Sequence, residues 1–376
     1  MLFALYKQVT TQFLSIFDKK LEGKRKEKEK MKKTLTVVLS LVLVLSLCFM
    51  ATGCGSDDSG NGDSAEATVI HFGSTQGTSH AWYEASEAFV TNLSENSGGT
   101  LEAQIDFGGV WGSDKEHAEA VQNGTLDMYI GSTVGFDAIV TDIGFVNLPY
   151  LITTYDQVDN LIYNGWVGET LVADAEAQGF EVLGLTDCDF RWLSNSKNPI
   201  ESADDIKGLK MRVPESPMFL EFFENLGAVP TSMAMTEVAS ALQQKTIDGQ
   251  DNGPTLSYPN GFQQFNQYWT KSNHSFASAV IVINPDKWAS LTAEQQEALQ
   301  KTVDQYAEDV KTLLREDVTE MADAMVEEGC EVIDPTDQLQ SDMQAAAEKV
   351  WASDEATGNF DQDAMARIRE NGGADE

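Results

Sequence analysis

The chain has 376 residues, with 25 Lys and Arg against 60 Asp and Glu, a formal net charge of −35 at pH 7. Residues 1–53 hold ten basic and four acidic residues, so the remainder carries 15 against 56, a net of −41. A field of that sign repels nucleic acid, anionic lipid and acidic protein partners, and those functions are disfavoured.

Residues 1–30 read as sequence upstream of a start at Met31. Met31-Lys32-Lys33 is a short basic opening, Thr34 to Met50 is mostly apolar, and Ala51-Thr52-Gly53-Cys54 ends the run with small residues before a cysteine. That order is the grammar of a secretory signal over 31–53. Its end resembles a bacterial lipobox, although Ala51 stands where leucine is more usual. The expectation is an exported protein, lipid-anchored to the membrane through Cys54 at the periplasm or cell surface. The apolar run is short for a stable span. A Gly/Ser/Asp-rich tether over 54–66 follows it. With Cys48 lost and Cys54 lipidated, Cys188 and Cys330 remain. Outside the cell they can pair, but two separate buried thiols are the default.

From Thr68 onward, roughly 300 residues suffice for two lobes, each with its own core. Val69–Phe72 reads as a strand, Ala81–Leu93 as an amphipathic helix, and Leu101–Ile105 alternates as a half-buried strand does. Ser113-Asp114-Lys115-Glu116 is a capping box that opens a helix stopping at Gly124. Strand Leu126–Ile130, helix Gly168–Gln178 and strand Phe180–Leu185 come next. The alternation repeats with strand Leu209–Val213, helix Pro217–Leu226, a short strand at Ala228–Pro230 and helix Thr236–Gln244. Ala279–Ile283 is continuously apolar, as in a strand covered on both faces. Thr292 caps a helical pattern reaching about Glu328, long for a globular helix and without heptads. The expected architecture is α/β: two lobes in which helices cover mixed sheets, with one long helix spanning both lobes.

Five arginines follow Cys54: Arg191, Arg212, Arg315, Arg367 and Arg369. Two of them, Arg191 and Arg212, lie on short polar segments ahead of an Asp-Gly-Gln-Asp-Asn run that ends at Asn252. A guanidinium is a fixed fork of donors that matches a carboxylate two bonds at a time. In so acidic a chain this points to a pocket for an organic acid. Arg212 can instead be a structural ion pair and Asn252 a turn cap. Trp192 and Trp111 are candidates to stack on a sugar ring, with packing the alternative for each.

Several motifs, taken in order, identify a family resemblance. Phe72-Gly73-Ser74 with Ala85–Leu93 is one, and Gly112–Glu116 with Ala120–Met128 another. Leu148-Pro149-Tyr150-Leu151, Lys207–Pro214, Ala241–Gln244 and Ile247-Asp248-Gly249-Gln250 complete the set. The chain resembles the DctP-type solute-binding proteins of TRAP transporters. That resemblance implies a two-lobed, periplasmic-binding-protein-like fold, its α/β lobes joined by crossing strands, and closure on the ligand like a hinged trap. It also implies that Arg212 grips a ligand carboxylate, Arg191 supports it, Asn252 hydrogen-bonds nearby, and Glu116 faces the ligand or its waters. The implied partners are a small organic acid, either a C4-dicarboxylate or a sugar acid, and TRAP membrane permease subunits. No cofactor or metal is required, and a monomer is the default.

The expected lobes are 67–188 with 278–317 and 346–376, and 189–277 with 318–345. Rival functions are a sensing receptor, an ABC-importer receptor and an exported enzyme. Against the last, the nucleophile-elbow and zinc-helix motifs are absent and His71, His80, His117 and His274 are scattered.

Overall fold

A computed structural model describes residues 67–371. The signal, the tether and Cys54 lie outside the described residues. Eleven strands among the described residues form two sheets. The first sheet runs, in spatial order, β2 (Leu101–Asp106), β1 (Thr68–Gly73), β3 (Met128–Ser132), β10 (Phe276–Ile283) and β4 (Glu181–Phe190). Strands β1, β2 and β3 are parallel, whereas β10 is antiparallel to both β3 and β4. The second sheet is β11 (Glu331–Ile333), β9 (Tyr268–Thr270), β5 (Leu193–Asn195), β8 (Gly249–Gln250), β6 (Lys210–Val213) and β7 (Val229–Ser232). It too is mixed: β6 pairs in parallel with β7 and β8, and β5 pairs antiparallel with β8 and β9.

Local chemistry places the helices that matter for function. Helix α1 (Ala81–Asn96) turns Trp82, Phe89 and Leu93 into the core. Helix α2 (Asp114–Gln122) begins with the expected capping box: Ser113 and Glu116 satisfy each other's backbone amides. It ends where Gly124 takes φ +74°, a left-handed conformation that side chains disfavour. Helices α3 (Trp166–Ala177), α4 (Pro217–Asn225) and α5 (Val238–Gln244) follow. Helix α6 (Ala293–Glu327) is 35 residues long and is capped by Thr292 with Gln295. It packs on α1 and β4 of the first sheet and also reaches β11 of the second, so it bridges the two lobes.

Two further connections cross between the sheets. Strand β4 passes through Arg191-Trp192 into β5, and β9 returns through Lys271–Ser275 into β10. The crossings are tied together: Arg191 N donates to Ser275 O at 2.9 Å and Ser272 Oγ to Arg191 O at 3.4 Å. Phe190 pairs with Phe276 on one side of the crossing and Leu193 with Thr270 on the other. The connection between the sheets is therefore a two-stranded ribbon, hydrogen-bonded within itself at the crossing.

All eight residues of β10 are buried, which accounts for the unbroken apolar run. One apolar cluster runs from the first sheet through Met211, Val213, Phe219 and Phe222, and a smaller one gathers Val238, Leu242, Trp269 and Met325. Cys188 and Cys330 are both buried free thiols. His80 and His117 are buried at the starts of α1 and α2. His80 Nδ1 accepts from Trp82 N at 3.2 Å, and His117 Nδ1 contacts Ser113 O at 2.9 Å.

Ile281 is fully buried in the middle of β10. Ile281→Ala is expected to lower stability by about 2–5 kcal/mol, as lost transfer energy plus an unfilled cavity. A urea-unfolding midpoint unchanged from the wild type would show that this strand does not anchor the core.

Candidate ligand-binding site

The carboxyl ends of the strands converge on one cavity. After β1 comes Gln76; at the end of β3 is Ser132; after β6 come Pro214 and Glu215; after β7, Met235; after β8, Asn252; after β4, Arg191. Arg212 reaches the cavity from β6 and Asp114 from the first position of α2. In open α/β sheets ligands bind outside the carboxyl ends of strands, because there the loops diverge and leave a crevice. The cavity volume is about 40 Å³, on the order of one or two waters.

Arg212 is 3 % exposed. Its Nε and Nη2 both donate to the carbonyl oxygen of Met233, at 3.0 and 2.8 Å. Among the described residues no carboxylate lies within ion-pair distance of it and its Nη1 takes no hydrogen-bond partner. The Met233 carbonyl is held in turn, because Met233 N donates to Val213 O at 3.1 Å. Burial lowers the pKa of Arg212 to about 10, opposed by the charge of Asp251. The side chain is thus a buried cation, aimed by a neutral acceptor.

Arg191 is disposed differently. Its Nε donates to Asp251 Oδ2 at 3.0 Å and its Nη2 to Oδ1 at 2.7 Å, a two-bond fork between nearly inaccessible side chains. The guanidinium also lies 4.8 Å from the centre of the Phe219 ring, and His274 Nε2 is 3.5 Å from Asp251 Oδ2. Burial works to raise the pKa of Asp251, yet the Arg191 charge, the Arg191 hydrogen bonds and the nearby His274 ring hold it well below the carboxylate range. Arg191 therefore reaches the cavity with its charge already matched.

Asn252 lines the cavity beside Arg212. Its Nδ2 donates to Gln250 Oε1 at 2.6 Å, as does its backbone N at 2.7 Å, so the side chain is oriented by its own strand. Glycine follows by necessity, since a Cβ at Gly253 would sit 2.1 Å from Asp189 Oδ2.

The remaining candidates lie elsewhere. Glu116 is exposed and spends its carboxylate on the cap, accepting from Ser113 N at 2.7 Å and Ser113 Oγ at 3.0 Å. The residue of that helix which reaches the cavity is Asp114, two positions earlier. Trp192 is buried in the crossing ribbon, where its Nε1 donates to Asn273 Oδ1 at 2.7 Å. Trp111 is half-buried against the main core. Neither tryptophan lines the cavity. Asp114, Gln76 and Asp251 escaped the sequence reading. Asp at the first helical position is also what a helix N-terminus favours, so Asp114 carried no separate signal.

A far larger groove, about 1160 Å³, lies between α3 and α6 beside the edge of β4. Its cations are already matched: Arg315 bridges Asp159 and Asp187, and Lys311 pairs with Glu308. Among the described residues no group of three or more His, Cys, Asp or Glu side chains could hold a metal ion, and no helix is long and apolar enough to cross a membrane.

Residues 72–357 match the DctP family, described as bacterial extracellular solute-binding protein, family 7. The chain belongs to this family. Its α/β fold of two lobes is that of the TRAP periplasmic solute-binding proteins. One from Haemophilus influenzae with bound L-gulonate superposes with a TM-score of 0.75 at 25 % identity, covering 81 % of this chain and 99 % of that one. One from Sulfurospirillum deleyianum with bound succinate has the same fold, with a TM-score of 0.76 at 21 % identity, 81 % of this chain and 98 % of that one. The 2,3-diketo-L-gulonate-binding periplasmic protein YiaO of Escherichia coli is 27 % identical over 275 residues, 73 % of this chain and 84 % of its own. The C4-dicarboxylate-binding periplasmic protein DctP of Rhodobacter capsulatus is 30 % identical over 217 residues, 57 % of this chain and 65 % of its own. Members of the DctP family are extracytoplasmic binding proteins that serve transporters, not enzymes.

Next to Arg191 stands a second buried acid. Asp189 Oδ2 accepts from Thr255 Oγ1 at 2.6 Å and Thr255 N at 3.1 Å. Burial raises its pKa to about 7, against the lowering effect of those hydrogen bonds. Between about pH 4 and 7 the folded chain then holds a proton that the unfolded chain has lost, so stability from this group falls as pH rises through that window. Urea midpoints at pH 5 and pH 8 are expected to fall less in Asp189→Asn than in the wild type. Equal declines in the two proteins would refute the assignment.

Proposed function

We propose that this DctP-family protein is the receptor of a TRAP-type secondary transporter, taking a small organic acid by its carboxylate at Arg212 and presenting it to membrane permease subunits. The carrying observation is the buried guanidinium whose protein partner is a carbonyl oxygen. Burying a cation without an opposite charge is unfavourable, and a carboxylate supplies that charge in the geometry a guanidinium prefers. Arg191, matched by Asp251, positions the neighbouring wall and has no charge to spare. Asn252 offers a hydrogen bond beside the clamp. The names of relatives support an acid: one binds 2,3-diketo-L-gulonate, one C4-dicarboxylates, and one holds L-gulonate.

A cavity of about 40 Å³ is too small to admit such a ligand, so the lobes must part and close again about the crossing ribbon. A ligand touching both lobes favours the closed state by its differential affinity for it. The lobes we assign are 67–188 with 278–317 and 346–376, and 189–277 with 318–345. The receptor works as a monomer, held at the membrane by a lipid on Cys54.

A thermal-shift screen of the chain from Gly55, with organic acids beside neutral analogues of matched shape, tests the clamp. Ligand at 1,000 times its dissociation constant adds about 4 kcal/mol, a shift of several degrees. Arg212→Lys keeps the charge and loses the fork, so affinity for the acid is expected to drop by about tenfold or more in titration calorimetry. Undiminished affinity, or a response to neutral solutes alone, would sink the clamp. For the anchor, Cys54→Ser is expected to move the protein from the membrane fraction to the soluble one; a protein still retained on membranes would count against lipidation there.

A further inference from the structure

The crossing ribbon carries a backbone feature that neither sheet requires. Among the described residues three non-glycine residues have positive φ: Tyr150 at +60°, Lys245 at +59° and Asn273 at +41°. Lys245 closes helix α5, where a left-handed residue is ordinary. The other two meet at the ribbon. Asn273 lies in its return strand, and Tyr150 N donates to the carbonyl of the next residue, His274, at 2.7 Å. Left-handed backbone is unfavourable for most side chains, and Asn is one of the few that tolerate it, usually through a hydrogen bond close by in the chain. Asn273 bonds elsewhere. Its Oδ1 accepts from Trp192 Nε1 at 2.7 Å, on the outgoing strand 81 positions away.

Trp192 is 4 % exposed, yet it belongs to neither apolar cluster, unlike Phe190 and Leu193 of the same segment. The Lys271 ammonium of the return strand lies 5.9 Å from the centre of its ring. Core packing therefore does not account for an indole at this position; the ring joins the two strands of the ribbon. The other bonds across the crossing use the backbone of Arg191, whereas this one runs from side chain to side chain. Asn273 is exposed, so water can take the place of its partner when the bond parts. Such a contact can be made and broken reversibly.

We propose that Trp192 is a positioning residue for ligand capture: through Asn273 it holds the crossing ribbon at the setting of the closed receptor, stabilising the ligand-holding state without touching the ligand. This rests on the reading that the lobes close on an organic acid. Closure concentrates its dihedral change in a few connecting residues, and a residue kept by its surroundings in a sparsely populated backbone region is a natural place for two settings. The bond forms in one setting only, so its energy enters the balance between open and closed states. Apparent affinity scales with the fraction of receptor that is competent to bind, and the latch raises that fraction. It acts alike on every ligand, because Trp192 and Asn273 both lie outside the cavity.

Titration calorimetry and stopped-flow dissociation with galactonate, L-gulonate and succinate, on the chain from Gly55, test the latch. Trp192→Phe keeps an aromatic ring and removes the donor. Every acid that binds is expected to bind about threefold or more weaker, by one common factor and through faster dissociation, the size of one hydrogen bond. Asn273→Gly keeps the left-handed backbone and removes the acceptor, and should give the same factor. The double variant should be no weaker than either single one, as a coupled pair requires. Asn273→Asp retains both the acceptor and the tolerance of positive φ, and should bind as the wild type does. Lower urea midpoints without ligand, together with unchanged dissociation rates, would make the pair a brace of the fold and overturn the assignment. So would a factor that differs between acids, or a double variant weakened by the product of the two. If the wild type binds an acid and the variants match it, the latch fails and the receptor reading stands. If none of the three acids binds the wild type, the organic-acid reading fails and takes the latch with it.

Discussion

The buried pair of Arg191 and Asp251 is the interaction on which the rest of the site depends. Arg191 follows β4 of the first sheet and Asp251 follows β8 of the second, so their two-bond fork ties the start of the crossing connection to the second sheet. Both side chains are nearly inaccessible. Removing one member of such a pair leaves an uncompensated buried charge, a loss of about 3–5 kcal/mol. The pair also decides the electrostatics of the cavity, because it takes one arginine out of competition for ligand and leaves Arg212 as the cation with no carboxylate of its own.

That division of labour explains how a strongly acidic chain can attract an acid. Beyond the first 53 residues the net charge is −41, but exposed charges are screened over about 8 Å at physiological ionic strength. Within the cavity the local account is different. Arg212 is desolvated and aimed by the Met233 carbonyl, and no carboxylate among the described residues is within ion-pair distance of it. The distant surface charge contributes solubility, while the short-range geometry contributes binding.

Volume and function are inversely related here. The groove of about 1160 Å³ beside β4 has its cations paired within itself, whereas the cavity of about 40 Å³ lies at the carboxyl ends of strands from both sheets and is lined by Arg212, which has no ion pair among the described residues. The crossing ribbon fits closure on a ligand: its two strands are hydrogen-bonded to each other at the crossing, so bending there does not require breaking either sheet.

Much of this was readable in the amino-acid order alone. The capping box at Ser113, the stop at Gly124, the unbroken apolar run of β10 and the long helix after Thr292 are local signals, because capping, left-handed glycine and hydrophobic periodicity act within a few residues. The motif order also put Arg212 and Asn252 forward together, and both line the cavity. Tertiary structure decided the rest. Strands β5, β8, β9 and β11 are two or three residues long and exist because a neighbour pairs with them, so no periodicity could announce them. Only the fold could show that Arg191 is neutralised by a residue 60 positions away, that Trp192 braces Asn273 rather than lining the cavity, and that Asp114 rather than Glu116 faces Arg212's cavity. Sequence specifies which groups are available, but the distances between them arise only when the two sheets are brought together, and charge–charge and hydrogen-bond energies are functions of those distances.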